Sequence, residues 1–68
     1  MHPLLRYFII THLPAGPLRM TAGRFVDLAV TLDEVLPDGP EKTVCLRKLL
    51  ESKDAAVRAA LDLVQDGS

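Results

Sequence analysis

Cysteine is almost absent from this chain, which removes two common ways of stabilising a small domain. The 68 residues contain one cysteine, Cys45, so no disulfide can form within the chain. One cysteine and two histidines are not spaced as zinc ligands, so we expect no metal site. A single apolar core in a chain of fewer than about 70–80 residues rarely contributes more than about 3–5 kcal/mol. Other copies of the chain remain as the source of stability, and we expect a homo-oligomer.

Three further absences narrow the class of protein. Eight basic residues against nine acidic ones give a net charge of -1, whereas a protein that binds DNA or RNA usually has a clear basic excess. No apolar run approaches the length that spans a membrane, and the run 7–10 is too short for a signal peptide. The sequence has no nucleophile with a base, no paired carboxylates and no Gly-rich phosphate loop. We therefore expect a protein that is not an enzyme, with no cofactor and no nucleic-acid or membrane partner. The lone reduced cysteine fits a cytoplasmic protein.

Prolines define an N-terminal arm. Pro3, Pro14 and Pro17 fall within residues 1–17, which we predict to be extended. Residues 6–11 have the composition of a strand, and an apolar arm laid over helices is an equal alternative. Pro17 suits the first position of a helix, so it marks the end of the arm.

Two helices account for the rest of the chain. Apolar residues spaced alternately four and three apart predict a first helix from about residue 17 to 36. Residues 37–40 are a strong turn signal, and a second helix should run from about 40 to 64, before a frayed tail at 65–68. The second helix carries two adjacent apolar seams. The first seam is Cys45, Leu49, Ser52, Ala56, Ala59 and Leu63, and the second seam is Leu46, Leu50, Lys53, Val57, Ala60 and Val64.

These elements predict an all-α fold of one domain. It is an antiparallel two-helix hairpin with a short extended N-terminal arm, assembled as a homo-oligomer. Apolar residues make up 49% of the chain, which is more than one hairpin can bury. Two seams on one helix provide two packing surfaces, one for the first helix and one for a neighbouring chain. Gly23 costs about 1 kcal/mol inside a helix relative to alanine, which makes sense if another group approaches its backbone.

Two cations near the seams have both a structural and a ligand-binding interpretation. Lys53 interrupts the second seam, so it either snorkels, pairs with Asp54 or Glu51, or binds an anion at a subunit junction. Arg24, next to Gly23, is either a solvated charge or a guanidinium that binds phosphate in a bidentate manner.

The arm and the surface of the second helix supply the other candidates. Tyr7 either packs on the hairpin or stacks on a base, while Phe8 is expected to pack. His12 is either a surface residue or a donor to a phosphate or a base edge, and His2 is expected to be disordered. On spacing alone, the remaining cations of the second helix are ordinary surface charges: Lys42, Arg47, Lys48 and Arg58.

The segment 27–51 resembles the hairpin of a family of phage proteins. In this chain a helix ends in Leu-Pro at residues 36–37, Pro-Asp-Gly-Pro-Glu-Lys-Thr follows at 37–43, and Leu-Arg-Lys-Leu lies at 46–49. The family contains the anti-CBASS and anti-Thoeris sponges, which sequester the cyclic nucleotide signals of bacterial immunity. The resemblance covers about residues 7–62, and residues 53–59 resemble an actinobacteriophage branch.

This resemblance implies a hexamer-like assembly in the host bacterial cytoplasm. Ligand pockets between protomers would bind cyclic dinucleotides, cyclic trinucleotides or cyclic ADP-ribose isomers without cleaving them. By position, Tyr7 matches the aromatic that stacks on a base, Arg24 matches the cation that binds phosphate, and His12 matches the arm histidine. Three cations fall where a second site would form: Lys48, Lys53 and Arg58. The alternative function is a small oligomeric protein-interaction module or regulator with no nucleotide ligand.

Overall fold

The computed structural model describes residues 2–10 and 12–65, apart from the side chain of Gln65. In chain order the elements are a 3₁₀ helix, Pro3–Phe8, helix α1, Pro17–Val35, and helix α2, Pro40–Gln65. The helices α1 and α2 pack along each other as a hairpin joined by residues 36–39. The predicted helical hairpin and its turn are confirmed, and each observed helix end lies within one residue of its predicted position. Residues 66–68 of the predicted frayed tail lie outside the described residues.

Proline and glycine set where the long helices begin and end. Gly16 precedes α1 with a φ of 118°, a left-handed conformation that favours glycine. Pro17 then takes the first helical position, where the missing N–H removes no helical hydrogen bond, and Pro40 does the same in α2. Helix α1 ends because Pro37 disfavours helical geometry in the residue before it, and Leu36 is extended.

The arm differs from its prediction. Residues 3–8 form a 3₁₀ helix, so the predicted extended conformation is wrong for that segment, and so is the strand for residues 6–8. A strand there would leave its backbone groups unpaired, because the described residues contain no strand that could pair with it. The 3₁₀ helix pairs those groups internally and places Leu5 and Phe8, three residues apart, on one side. Both side chains are buried against the hairpin, which agrees with the alternative of an apolar arm laid over helices. Thr11 lies outside the described residues.

The core forms where the 3₁₀ helix meets the hairpin. Its buried cluster consists of Leu5, Phe8, Ala29 and Leu46. Leu46 is the largest side chain that is fully buried. Alanine at positions 22 and 29 of α1 is completely buried, which allows the backbones of the two helices to approach closely. The core is therefore small and depends on one large aliphatic residue of α2.

The two seams of α2 lie in different environments. Leu46, Lys53 and Ala60 of the second seam are buried. In the first seam, the half-buried residues are Cys45, Leu49 and Ala56, and the exposed ones are Ser52, Ala59 and Leu63. The second seam therefore faces the interior of the hairpin, while the first seam lies along its edge.

Gly23 lies beneath the arm. A Cβ atom built on it would stand 3.8 Å from Cδ1 of Ile10, which is ordinary van der Waals contact. The group nearest to Gly23 is therefore a side chain of the arm. Within the described chain this contact leaves room for an alanine.

Candidate functional site

Three of the six predicted ligand-binding residues line one cavity between the arm and α2. His12 comes from the arm, and Lys53 and Arg58 come from α2, around a volume of about 200 Å³. The rest of the wall is formed by Leu13, Asp54 and Val57. The four residues of α2 share this wall because side chains three and four apart lie on one face of a helix. We call this volume the basic cavity.

The ammonium group of Lys53 is held by the protein itself. Its Nζ donates a hydrogen bond of 2.8 Å to the backbone oxygen of Tyr7 and lies 3.5 Å from Oδ1 of Asp54. It also lies 5.6 Å from the centroid of the Phe8 ring. The Tyr7 carbonyl belongs to the last turn of the 3₁₀ helix, where carbonyl groups lack helical partners. The interpretation that Lys53 pairs with Asp54 is confirmed, and the lysine fastens the arm to α2.

Arg58, His12 and Asp54 are the exposed polar residues of the basic cavity. Asp54 pairs with Lys53, whereas neither Arg58 nor His12 forms a hydrogen bond or an ion pair among the described residues. A guanidinium in this position can offer two parallel N–H donors to a phosphate or a carboxylate. The cavity can therefore accept one small anionic group.

The other three predicted residues do not line this cavity with their side chains. The Tyr7 ring is half exposed; its hydroxyl accepts a 2.9 Å hydrogen bond from Nη2 of Arg6, whose guanidinium lies 4.9 Å from the ring centroid. Lys48 is exposed and lies 3.7 Å from Oε2 of Glu51. Arg24 is exposed on α1. A single chain therefore brings together His12, Lys53 and Arg58 only.

A buried ion pair lies at the turn end of the hairpin. Nζ of Lys42 lies 3.0 Å from Oδ1 of Asp33 and 3.1 Å from Oδ1 of Asp38, and it donates a 2.8 Å hydrogen bond to the Asp33 backbone oxygen. The side chain of Lys42 is 6% exposed, so its interpretation as an ordinary surface charge is wrong. The sequence signal that could have predicted this pair was position: Asp33 lies in the last turn of α1 and Lys42 in the first turn of α2. The four-residue turn brings these two ends together.

His2 also belongs to this cluster, and it caps the N-terminal end of the 3₁₀ helix. Its backbone N–H donates to Oδ1 of Asp33 at 3.1 Å, and its Nδ1 accepts a 3.1 Å hydrogen bond from the Leu4 N–H. Since Nδ1 accepts, Nε2 carries the proton and donates to Oγ1 of Thr43 at 3.0 Å. The expectation that His2 is disordered is therefore wrong. Hydrogen bonds from His2 and Lys53 hold the two ends of the 3₁₀ helix.

The charges of this cluster shift each other's protonation. The hydrogen bond from Lys42 lowers the pKa of Asp33 below its ordinary value of 3.8, and the His2 N–H adds to that effect against the opposing effect of burial. Hydrogen bonds to Asp33 and Asp38 raise the pKa of Lys42 above 10.5. Among the described residues, no buried side-chain nitrogen or oxygen lacks a partner. The buried polar groups of this cluster therefore have their hydrogen-bond partners within the described part of the chain.

Acid should weaken the fold through Asp33. An aspartate whose folded pKa is lowered contributes stability that is fully present above its unfolded pKa of about 4 and is lost as pH falls through the folded pKa. Asp33→Asn should therefore melt below the wild type at pH 7, and the two melting temperatures should converge as pH falls below about 4. Circular dichroism melts from pH 7 to 2.5 measure this. The exposed carboxylate control, Asp62→Asn, should follow the wild-type curve, and a constant gap for Asp33→Asn would refute the role.

Comparisons with known proteins return no relative. No protein-family model, no curated protein and no solved structure matches the chain. Among the described residues, no group of three or more His, Cys, Asp or Glu side chains is placed to hold a metal ion. In the same part of the chain, neither long helix has the apolar composition needed to cross a membrane.

Proposed function

We propose that this chain is a viral anti-defence protein that sequesters cyclic oligonucleotide signals as a homo-oligomer and does not cleave them. The observation that supports this proposal is the basic cavity, where His12 of the arm meets Lys53 and Arg58 of α2. His12 lies 41 residues from Lys53 and 46 residues from Arg58 in the chain, so the fold of the arm brings them together. The resemblance of residues 27–51 to the phage sponges supports the ligand class, which comprises cyclic dinucleotides, cyclic trinucleotides and cyclic ADP-ribose isomers.

The size of the basic cavity requires more than one protomer for such a ligand. Its volume is about 200 Å³, whereas pockets for small molecules usually measure about 300–1,000 Å³. One protomer can thus hold a phosphate and part of a sugar, and a neighbouring protomer must cover the rest. Assembly would therefore create the binding site.

Five of the six candidate residues have a distinct role in this proposal, and Lys48 has none. Arg58 binds a phosphate through two N–H donors, and His12 donates to the same phosphate or to a base edge. Lys53 positions the arm, so it contributes to the shape of the cavity more than to the binding of phosphate. Arg24 of a neighbouring protomer binds another phosphate. Tyr7 stacks on a base with the ring face that Arg6 does not cover.

Arginine substitutions test the phosphate contacts. Arg58→Ala and Arg24→Ala should each weaken binding of a cyclic dinucleotide, measured by isothermal titration calorimetry, by about 10- to 150-fold, because each removes a charged hydrogen bond. The matched control is Arg47→Ala, an exposed arginine of α2 that does not line the cavity. Its affinity should equal that of the wild type, and sedimentation should show the same assembly for all four proteins. Wild-type affinity in Arg58→Ala would refute phosphate binding at the basic cavity.

A second candidate function is a protein-interaction module without a nucleotide ligand. The observation in its favour is an apolar groove of about 610 Å³ between the arm and α1. Its apolar lining is formed by Leu5, Phe8, Ile9, Ile10, Val26 and Val30. This function predicts that no nucleotide changes the melting temperature and that Arg58→Ala has no effect on partner binding.

A further inference from the structure

Asp54 lines the basic cavity but has no role in the proposed function. Its Oδ1 lies 3.5 Å from Nζ of Lys53, and its side chain is half exposed. The other carboxylate oxygen, Oδ2, forms no hydrogen bond or ion pair among the described residues. A carboxylate has about four lone-pair positions, so Asp54 keeps most of its capacity to accept hydrogen bonds at the wall of the cavity.

Asp54 and Arg58 place opposite charges on the same wall. They lie four residues apart on one face of α2, where the Cβ atoms of such residues are about 5–6 Å apart. An aspartate and an arginine at this spacing commonly pair, yet no ion pair joins these two within the part of the chain that the structure describes. The cavity therefore offers a cation to one part of a ligand and a hydrogen-bond acceptor to the part beside it.

The ligand group that suits Asp54 is a hydrogen-bond donor without negative charge. A carboxylate repels phosphate, so a second phosphate does not fit there. When a phosphate is attached to the 3′ carbon of a ribose, the nearest donor is the 2′-hydroxyl, because it stands on the adjacent carbon. The cavity measures about 200 Å³, which is enough for a phosphate and the neighbouring part of the sugar.

We propose that Asp54 accepts a hydrogen bond from the ribose 2′-hydroxyl beside the phosphate that Arg58 binds. This inference rests on the proposed function, because it requires Arg58 to bind a phosphate of a cyclic nucleotide. Hydrogen bonds from a hydroxyl to a carboxylate are short, about 2.5–2.7 Å, and stronger than those between neutral groups. Asp54 is thus a specificity-determining residue, which selects ligands with 3′,5′ linkages and a free 2′-hydroxyl.

This role narrows the ligand class of the proposed function. Cyclic dinucleotides and trinucleotides with 3′,5′ linkages carry a phosphate and a hydroxyl on adjacent ribose carbons. In cyclic ADP-ribose isomers the phosphates are attached to the 5′ carbon, and the closest hydroxyl stands at least two carbons away. Only the adjacent arrangement matches a cation and an acceptor that lie one helical turn apart. We therefore expect these dinucleotides and trinucleotides to bind more tightly than cyclic ADP-ribose isomers.

The ratio of two affinities tests the role of Asp54. The probes are cyclic di-AMP and cyclic di-GMP with 3′,5′ linkages, each compared with its 2′-deoxy analogue by isothermal titration calorimetry of the wild-type protein. The ribonucleotide should bind about 10- to 150-fold more tightly than its analogue, because the analogue leaves the carboxylate without its donor.

Substitution of Asp54 should remove this preference. Asp54→Ala should bind the ribonucleotide and its analogue with nearly equal affinity. The ratio is the decisive quantity, because loss of a negative charge by itself favours both anionic ligands alike. The matched control is Asp62→Ala, which removes the same charge from an exposed position of α2 outside the cavity. This control should keep the wild-type ratio.

Each contrary result has a definite meaning. A wild type that binds both members of a pair equally, or an Asp54→Ala variant that keeps the wild-type ratio, would overturn this inference while the proposed function survives. A loss of affinity in Asp54→Ala for cyclic di-GMP alone would assign the carboxylate to the guanine edge and would also overturn it. If no cyclic nucleotide binds the wild type, the proposed function fails and this inference fails with it.

Discussion

Replacing Leu46 with alanine should leave much of the chain unfolded at 25 °C. Leu46 is completely buried, and it is the largest of the fully buried side chains. A buried leucine changed to alanine costs about 2–5 kcal/mol through lost transfer energy and the cavity left behind. The core of a chain this small rarely supplies more than about 3–5 kcal/mol in total. One substitution can therefore remove most of the stability of the fold.

Urea unfolding, followed by circular dichroism at a fixed protein concentration, measures this effect. The concentration must be fixed because association stabilises the folded state by mass action. The control is Leu63→Ala at an exposed position of the same helix, which should cost less than Leu46→Ala in dilute protein. A cost below about 1 kcal/mol for Leu46→Ala would contradict a small core that depends on this side chain.

The hairpin was predictable because local signals and long-range packing agree. Prolines at positions 17, 37 and 40 determine where helices can begin and end, whatever the rest of the fold does. The two seams of α2 predicted two packing surfaces, and the buried state of Leu46 and Ala60 shows which seam faces the hairpin. Sequence spacing alone could not show which seam faces the hairpin, because both seams have the same period.

The arm was harder to predict because its conformation depends on distant residues. The composition of residues 6–11 is typical of a strand, but no strand among the described residues pairs with it. Hydrogen bonds from the arm to Asp33 and Thr43, and one from Lys53 to the arm, hold the 3₁₀ helix instead. Each of these partners is more than 30 residues from its counterpart in the arm, so no local window contains the signal.

Lys42 and Lys53 show the same limit for charged residues. Lys53 interrupts an apolar seam, and pairing with Asp54 was one of the alternatives that this position left open. Lys42 does not interrupt either seam, yet it is buried, because the turn brings Asp33 within 3.0 Å of its ammonium group. The meeting of His12 with Arg58 likewise depends on how the arm folds back. Composition and spacing alone do not show how the arm folds back.

A cyclic nucleotide that fits the site should stabilise the protein strongly. A ligand that binds only the folded state adds about 4 kcal/mol at a thousandfold excess over its dissociation constant. For a domain of this size, that is a rise in melting temperature of more than about 10 °C. Arg58→Ala should show a much smaller rise at the same ligand concentration, whereas Arg47→Ala should match the wild type.

The most direct measurement is therefore the melting temperature of the wild-type protein against a panel of cyclic dinucleotides, cyclic trinucleotides and cyclic ADP-ribose isomers. Each ligand is recovered after denaturation and checked by mass spectrometry. A large rise restricted to one ligand class, with that ligand recovered intact, is the result that sequestration predicts. An unchanged melting temperature across the panel would contradict sequestration and favour the protein-interaction module. Recovery of a cleaved ligand would contradict sequestration without cleavage.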